Sequence, residues 1–133
     1  YLGIFPEGGS WAEVLRPARP GTAYLATRTG ARILPVGLVG LNDIFPLRLA
    51  KRPKVRFIIG EPFGPLEVKG YGRERRHELD EYGHEIMQRI AVLLPEEKRG
   101  SYSSDLEIRA AAKEFEAYPW DNKFEGEVIG KVR

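Results

Sequence analysis

Apolar residues are grouped into blocks along the chain, and the blocks predict strands separated by helices. Three runs, residues 1–5, 32–40 and 54–60, are rich in apolar residues, which is typical of strands buried on both faces. Pro35 in the second run indicates an edge strand, a bulge or an irregular end. The pattern predicts an α/β domain with a mixed sheet and helices on both faces.

Helices are predicted from periodicity and from cap residues. Apolar positions recur every three or four residues over 73–94, so this segment is predicted to be the longest helix, with one stripe packed on the sheet. A short helix is predicted over 22–29, where Gly30 marks its end. A further helix is predicted over 104–118, and a short helical turn over 10–16, from the spacing of a capping box.

Residues 1–95 are predicted to be the C-terminal part of a domain, and residues 96–133 a further helix and a tail. The chain opens with Tyr1 inside an apolar run, with no cap or leader before it. This opening predicts that the N-terminal part of the domain lies upstream.

Composition narrows the classes of function. The sequence has 133 residues, 42% of them apolar and 30% charged, as in ordinary globular proteins. It has no cysteine, which excludes disulfides, thiol catalysis and cysteine zinc sites and permits a reducing compartment. No apolar run reaches the ~20 residues that span a bilayer. No bound cofactor and no metal are predicted.

Charge is balanced overall but uneven along the chain. The net charge is only +2, while basic residues gather in 16–19, 48–56 and 73–76. Such clusters suit an anionic ligand or an anionic membrane surface, and each alone is equally consistent with a solvated surface. Nucleic-acid binding is not predicted, because no aromatic residues are interleaved with the clusters. Residues 42–53 mix bulky apolar and basic residues, which suits either a membrane headgroup boundary or a loop folded onto its own core.

The stretch with the most chemical content follows the first predicted strand and reads Phe5-Pro6-Glu7-Gly8-Gly9-Ser10. Open α/β sheets bind ligands at the carboxyl ends of their strands. Two glycines permit close approach of a ligand to backbone amides, which favour an anion or oxyanion. Glu7 beside them can accept hydrogen bonds from the hydroxyls of a polyol. The alternative is a tight turn with Glu7 in water.

Four blocks resemble, in order, those of the glycerol-3-phosphate and lysophosphatidic acid acyltransferase family. They are Phe5-Pro6-Glu7-Gly8, Arg19-Pro20-Gly21, Ile33-Leu34-Pro35-Val36-Gly37 and Gly60-Glu61-Pro62-Phe63. The resemblance covers roughly the first half of the chain. It implies a partial glycerolphosphate-acyltransferase-like domain.

The activity implied by this resemblance is acyl transfer in phospholipid biosynthesis, on the cytoplasmic face of the membrane. The acyl donor would be acyl-CoA or acyl-ACP, and the acceptor a hydroxyl of a lysophospholipid or a glycerol phosphate. Such enzymes use a histidine, followed after four residues by an aspartate, as general base. The corresponding positions after His77 and His84 are Tyr82 and Arg89. No catalytic residue is therefore expected in this chain, which by itself should be inactive.

The acceptor site implied by the resemblance comprises Pro6, Glu7, Gly8, Gly9, Ser10, Arg16 and Arg19. The family commonly continues its F-P-E-G block with threonine and then an arginine that binds the acceptor phosphate; here these positions hold Gly9 and Ser10. Either Arg16 or Arg19 replaces that arginine, or the acceptor is not a simple phosphomonoester.

A different class of protein is also consistent with these residues. The chain could belong to a non-catalytic lipid-binding or membrane-recruitment module that has kept the acceptor pocket. The presence or absence of the histidine and aspartate upstream of Tyr1 distinguishes the two hypotheses.

Overall fold

The computed structural model describes residues 1–9, 12–41, 52 and 54–116. This part of the chain is a small mixed α/β domain with three α-helices and a two-stranded antiparallel sheet. The elements, in chain order, are α1 (Pro20–Thr29), β1 (Val36–Val39), β2 (Arg56–Ile59), α2 (Gly72–Ala91) and α3 (Leu106–Ala112). Short 3-10 turns at Glu96–Lys98, Gly100–Tyr102 and Lys113–Phe115 connect and extend the C-terminal helices.

The helices predicted from the sequence are confirmed, with shifted ends. Helix α1 begins at Pro20, whose fixed φ and missing N–H suit a first helical position. It ends at Gly30, which has a φ of 62° and donates its N–H to the Ala26 carbonyl. Asp105 caps α3 by accepting the Glu107 N–H at 2.8 Å. Helix α3 ends at Ala112, earlier than predicted, and residues 117–133 lie outside the described part.

Helix α2 organises the core, as its periodicity predicts. One buried cluster joins α2 to α1 and to the segment after β2, and consists of Ala23, Ala26, Phe63, Leu66 and Ile86. A second cluster begins at the next residue of α2 and consists of Leu15, Met87, Ala91 and Leu94. The segment around Leu15 is therefore anchored to the helix that carries most of the apolar contacts.

The sheet differs from the prediction, because α2 and the turn that follows it cover only one of its faces. Gly37 and Gly60 lie on the covered face, where an added Cβ would meet Leu93 at 3.0 and 3.2 Å. On the opposite face Phe57 and Ile59 are 68% and 67% exposed. The prediction of helices on both faces is wrong for the described residues. The apolar character of the strands does not show which other segments pack on them.

The prediction of a buried strand over residues 1–5 is also wrong. Leu2 and Phe5 are 73% and 72% exposed, and this segment forms no strand with any described residue. A strand needs a neighbour for its backbone groups, and β1 and β2 pair with each other instead. The helical turn predicted over 10–16 is not formed by residues 12–16, while Ser10 and Trp11 lie outside the described part.

Backbone hydrogen bonds connect the two regions that the sequence separates at residue 95. Leu15 donates its N–H to the Lys98 carbonyl at 3.0 Å and accepts the Ser101 N–H at 3.2 Å. Gly100, with a φ of 51°, lies directly against Leu15, and an added Cβ would collide with the Leu15 carbonyl. The domain boundary itself stays a prediction.

Candidate functional site

The candidate site is a turn that follows Phe5. The Gly8 N–H donates to the Phe5 carbonyl at 3.0 Å, and Gly8 has a φ of 70°. A residue with a side chain rarely adopts this conformation, so the glycine is needed for the turn. Pro6, Glu7 and Gly9 are partly buried and Gly8 is exposed, whereas Ser10 lies outside the described residues. The turn thus presents Gly8 on its outer side.

Arg16 holds this turn from inside the protein. The residue is only 2% exposed, and its Nη2 donates to the carbonyls of Glu7 at 3.3 Å and Gly9 at 3.0 Å. Its backbone N–H donates to Oε2 of Glu7 at 3.2 Å. One arginine therefore binds both the backbone and the carboxylate of the turn.

Glu7 is held close to Arg16 in a partly buried position. Its Oε2 lies 3.9 Å from Nε of Arg16, and its side chain is 24% exposed. Burial raises the pKa of Glu7, against the opposing effects of the Arg16 N–H and the Arg16 charge. A carboxyl in this environment retains some access to solvent and can accept a hydrogen bond from a bound hydroxyl.

Arg19 lies in a different environment from Arg16 although only three positions separate them. Arg19 is exposed, and its backbone N–H donates to the Pro6 carbonyl at 2.8 Å. It is also the residue before the first turn of α1. Arg19 is thus tied by its backbone to the turn and carries its charge at the surface beside it.

The four sequence blocks form two hydrogen-bonded pairs. The first and second blocks meet through the bond from Arg19 to Pro6. The third and fourth blocks meet where Ile33 and Phe63 exchange backbone hydrogen bonds, each 2.9 Å long. The Gly60 N–H donates to the Pro35 carbonyl at 2.9 Å in the same region. Blocks that are distant in sequence are therefore adjacent in the structure.

Neither histidine is placed like a general base supported by an aspartate. The His77 side chain is 75% exposed, with Nδ1 3.6 Å from Glu81. His84 is also exposed, and its Nδ1 lies 2.9 Å from the Tyr102 hydroxyl. Both residues lie on the long helix α2.

Tyr102 lies near the site, and no sequence pattern points to it. Burial raises its pKa to about 12, the Ala18 backbone hydrogen bond acts in the opposite direction, and the charge of Glu7 adds to the increase. Its ring lies against His84, with 6.0 Å between ring centroids. Because the turn at Gly100–Tyr102 brings it here, only the tertiary structure reveals the contact.

Neither a membrane-spanning helix nor a metal-ligand group is found among the described residues. No helix in residues 1–9, 12–41, 52 and 54–116 has the length and apolar character needed to cross a bilayer. The same residues contain no group of three or more potential metal ligands. No protein-family model, no curated protein and no solved structure matches this chain.

Proposed function

We propose that this chain is part of an acyltransferase with a glycerolphosphate-acyltransferase-like domain, and that it carries residues that bind the acceptor. The reaction would transfer a fatty acyl group from acyl-CoA or acyl-ACP to a hydroxyl of a lysophospholipid or glycerol phosphate. The observation that carries the proposal is the pairing of the four family-like blocks by backbone hydrogen bonds. Adjacency of the blocks is what a shared acceptor site requires.

In the proposed reaction the acceptor oxygen attacks the thioester carbonyl carbon. The carbon–sulfur bond breaks, the thiol of the carrier leaves, and a general base takes the hydroxyl proton. Neither histidine of this chain has the required spacing to an aspartate, so the proposal assigns the base to residues outside this sequence. The role of this chain is to bind and orient the acceptor.

Within the proposed site, Glu7 accepts a hydrogen bond from a glycerol hydroxyl, and the turn at Gly8 lets the glycerol approach the backbone. Arg19 is the preferred partner of the acceptor phosphate. Arg16 is less suited to this role, because its Nη2 already donates to two carbonyls of the turn and the residue is 2% exposed. A buried guanidinium would have to break these bonds before it could reach a phosphate.

A binding experiment tests the acceptor site on this chain. Lysophosphatidic acid and the uncharged monoacylglycerol of the same chain length would be titrated into the protein and into Arg19→Gln. Loss of one charged hydrogen bond, about 1.5–3 kcal/mol, predicts about 10- to 150-fold weaker binding of the phosphate-bearing lipid only. Arg28→Gln, in the last turn of α1, is the matched control. Equal losses on both lipids would reject Arg19 as the phosphate partner.

The same titration with Glu7→Gln tests the glycerol contact. We expect weaker binding of both lipids, because both carry glycerol hydroxyls, with the fold retained by far-UV circular dichroism. Unchanged affinity for both would return Glu7 to the alternative of a simple turn.

An activity assay tests the assignment of the base. The chain alone, mixed with acyl-CoA and lysophosphatidic acid, is expected to show no turnover above background. Turnover that disappears in His77→Ala or His84→Ala would contradict the proposal, since it would place a catalytic base on α2.

The proposed membrane partner is supported by the open face of the sheet. Phe57 and Ile59 are exposed there, and Arg52, Lys54 and Arg56 are exposed cations in and just before β2. Apolar groups flanked by cations suit an anionic lipid surface. Phe57→Ser combined with Ile59→Ser should reduce cosedimentation with anionic vesicles. Val92→Ser, at a position 68% exposed elsewhere, is the control, and an equal loss in both proteins would refute this contact.

A further inference from the structure

A cavity of about 160 Å³ lies between the segment that precedes α1 and the middle of α2. Its walls include Ala18 and Pro20 on one side, and Leu79, Asp80, Gly83 and His84 on the other. A water molecule takes about 30 Å³ of liquid volume, so the space suits a ligand with only a few non-hydrogen atoms. Nothing in the acceptor site described above uses this cavity.

Gly83 is the residue that keeps the cavity open. It is buried in the interior of α2, where glycine costs about 0.5–1 kcal/mol relative to alanine. Its φ is not in the left-handed region, and an added Cβ would make only an ordinary contact with the Ala18 Cβ at 3.5 Å. Neither backbone conformation nor crowding therefore requires a glycine here. What an added methyl group would change is the space beside Ala18.

The polar groups of the cavity come from one face of α2. Asp80 and His84 are one helical turn apart, and both line the cavity. Nδ1 of His84 lies 2.9 Å from the Tyr102 hydroxyl, and Nε2 is an acceptor for a ligand in the tautomer whose proton is on Nδ1. Among the described residues, the Asp80 carboxylate has neither an ion pair nor a hydrogen bond. The cavity thus offers a carboxylate and an imidazole nitrogen between apolar walls.

The carboxylate and the imidazole of this cavity favour a cationic ligand over an anionic one. A carboxylate attracts an ammonium group and repels phosphate or carboxylate ligands. Among the described residues, no lysine or arginine lines the cavity, and proline at position 20 provides no backbone N–H donor. The apolar walls formed by Ala18, Pro20 and Leu79 suit a short hydrocarbon segment attached to the cation.

We propose that this cavity binds the ammonium group of a small primary amine, with the ammonium group on Asp80 and Nε2 of His84 as a further acceptor. Free amino alcohols and the headgroups of ethanolamine lipids share this chemistry. The proposal does not depend on the acyltransferase function, because its residues are separate from Glu7 and Arg19.

The test is a titration of the 15N-labelled full chain with ethanolamine, followed by two-dimensional NMR. Saturable shifts are expected for the amides of Ala18, Gly21 and residues 79–84. Ethylene glycol, which has a similar size without the charge, should give none. Asp80→Asn should weaken binding at least about tenfold, the loss that corresponds to one charged contact of about 1.4 kcal/mol. Glu81→Gln, the neighbouring carboxylate that does not line the cavity, should leave binding unchanged.

Gly83→Ala provides a second variant that does not depend on charge. We expect it to fold with an equal or higher urea midpoint while binding ethanolamine more weakly, because the added methyl group would narrow the cavity beside Ala18. Vesicles of phosphatidylethanolamine and of phosphatidylglycerol then distinguish the source of the amine. If the protein prefers phosphatidylethanolamine vesicles and free ethanolamine abolishes this preference, the ligand is the lipid headgroup. Equal binding to the two kinds of vesicle identifies a free amine as the ligand. Absence of saturable shifts, or equal affinities in the wild type and Asp80→Asn, would overturn the proposal.

Discussion

Replacement of Arg16 by methionine tests whether a buried arginine stabilises the candidate site from within. Methionine keeps most of the aliphatic volume and removes the guanidinium. The Glu7 and Gly9 carbonyls then lose the donor that now bonds them at 3.3 and 3.0 Å, while the backbone bond from residue 16 to Glu7 can persist. The perturbation is therefore confined to the side chain.

The expected loss follows from these contacts. Two hydrogen bonds from a charged donor contribute about 1.5–3 kcal/mol each, or about 3–6 kcal/mol together. The variant is relieved of the cost of burying the guanidinium, which is several kcal/mol for a fully buried ion. Glu7, with 24% of its side chain exposed, can recover hydration on losing its partner. Removing one partner of a buried ion pair costs about 3–5 kcal/mol net of these opposing effects, and the hydration that Glu7 recovers lowers the expected fall in the free energy of unfolding to about 2–4 kcal/mol.

Urea denaturation monitored by circular dichroism measures this loss. With a slope of about 2 kcal/mol/M, the midpoint should move down by about 1–2 M. Arg73→Met is the matched control, because Arg73 is an exposed arginine of α2 that makes no hydrogen bond or ion pair with the described residues. It should change the free energy of unfolding by no more than about 0.5 kcal/mol. An Arg16→Met midpoint equal to that of the control would refute the stabilising role of Arg16.

Three further predictions concern pH and the C-terminal turns. Hydrogen bonds from Ser103 and Ser104 lower the pKa of Glu96 to about 2. The contribution of Glu96 to stability is therefore present above pH 4.5 and is lost as the pH falls towards 2. In urea titrations, Glu96→Gln should destabilise the protein at pH 7 and have little effect near pH 2. Burial raises the pKa of Glu7 above 4.5, so the sign is reversed and stability falls as the pH rises through that pKa. The stability of Glu7→Gln relative to the wild type should therefore be higher at pH 7 than at pH 4. The opposite trend would contradict the burial effect. Gly100→Ala should lower the thermal midpoint by several degrees, because Gly100 has a φ of 51° and an added Cβ would collide with the Leu15 carbonyl. Gly72→Ala is the control for backbone strain alone, because Gly72 has a φ of 57° and open space around it.

The helices could be predicted because their signals are local. Pro20 and Gly30 define α1 through backbone preferences that act within one turn. The stripe that includes Ile86 defines α2 through its period. The caps and the stripe depend on residues that are close in sequence, so these predictions hold without knowledge of the tertiary contacts.

The environment of the strands could not be predicted in the same way. Phe57 and Ile59 are as apolar as a strand buried on both faces requires, yet one face is open in the described structure. Residues 1–5 have the same composition and form no strand. Whether an apolar run is covered depends on which other segments reach it, and its own sequence does not contain this information.

The two arginines of the candidate site show where sequence reasoning ends and why the assays must be paired. Arg16 and Arg19 were equivalent as phosphate partners, because both are basic and follow the same turn. The packing of Leu15 against α2 places Arg16 inside, whereas Arg19 lies at the surface before α1. Loss of lipid binding in an Arg16 variant would therefore report a collapsed turn as readily as a lost phosphate contact. Only a variant that loses affinity for the phosphate-bearing lipid while keeping its urea midpoint identifies the residue that binds phosphate, and the structure favours Arg19 for that result.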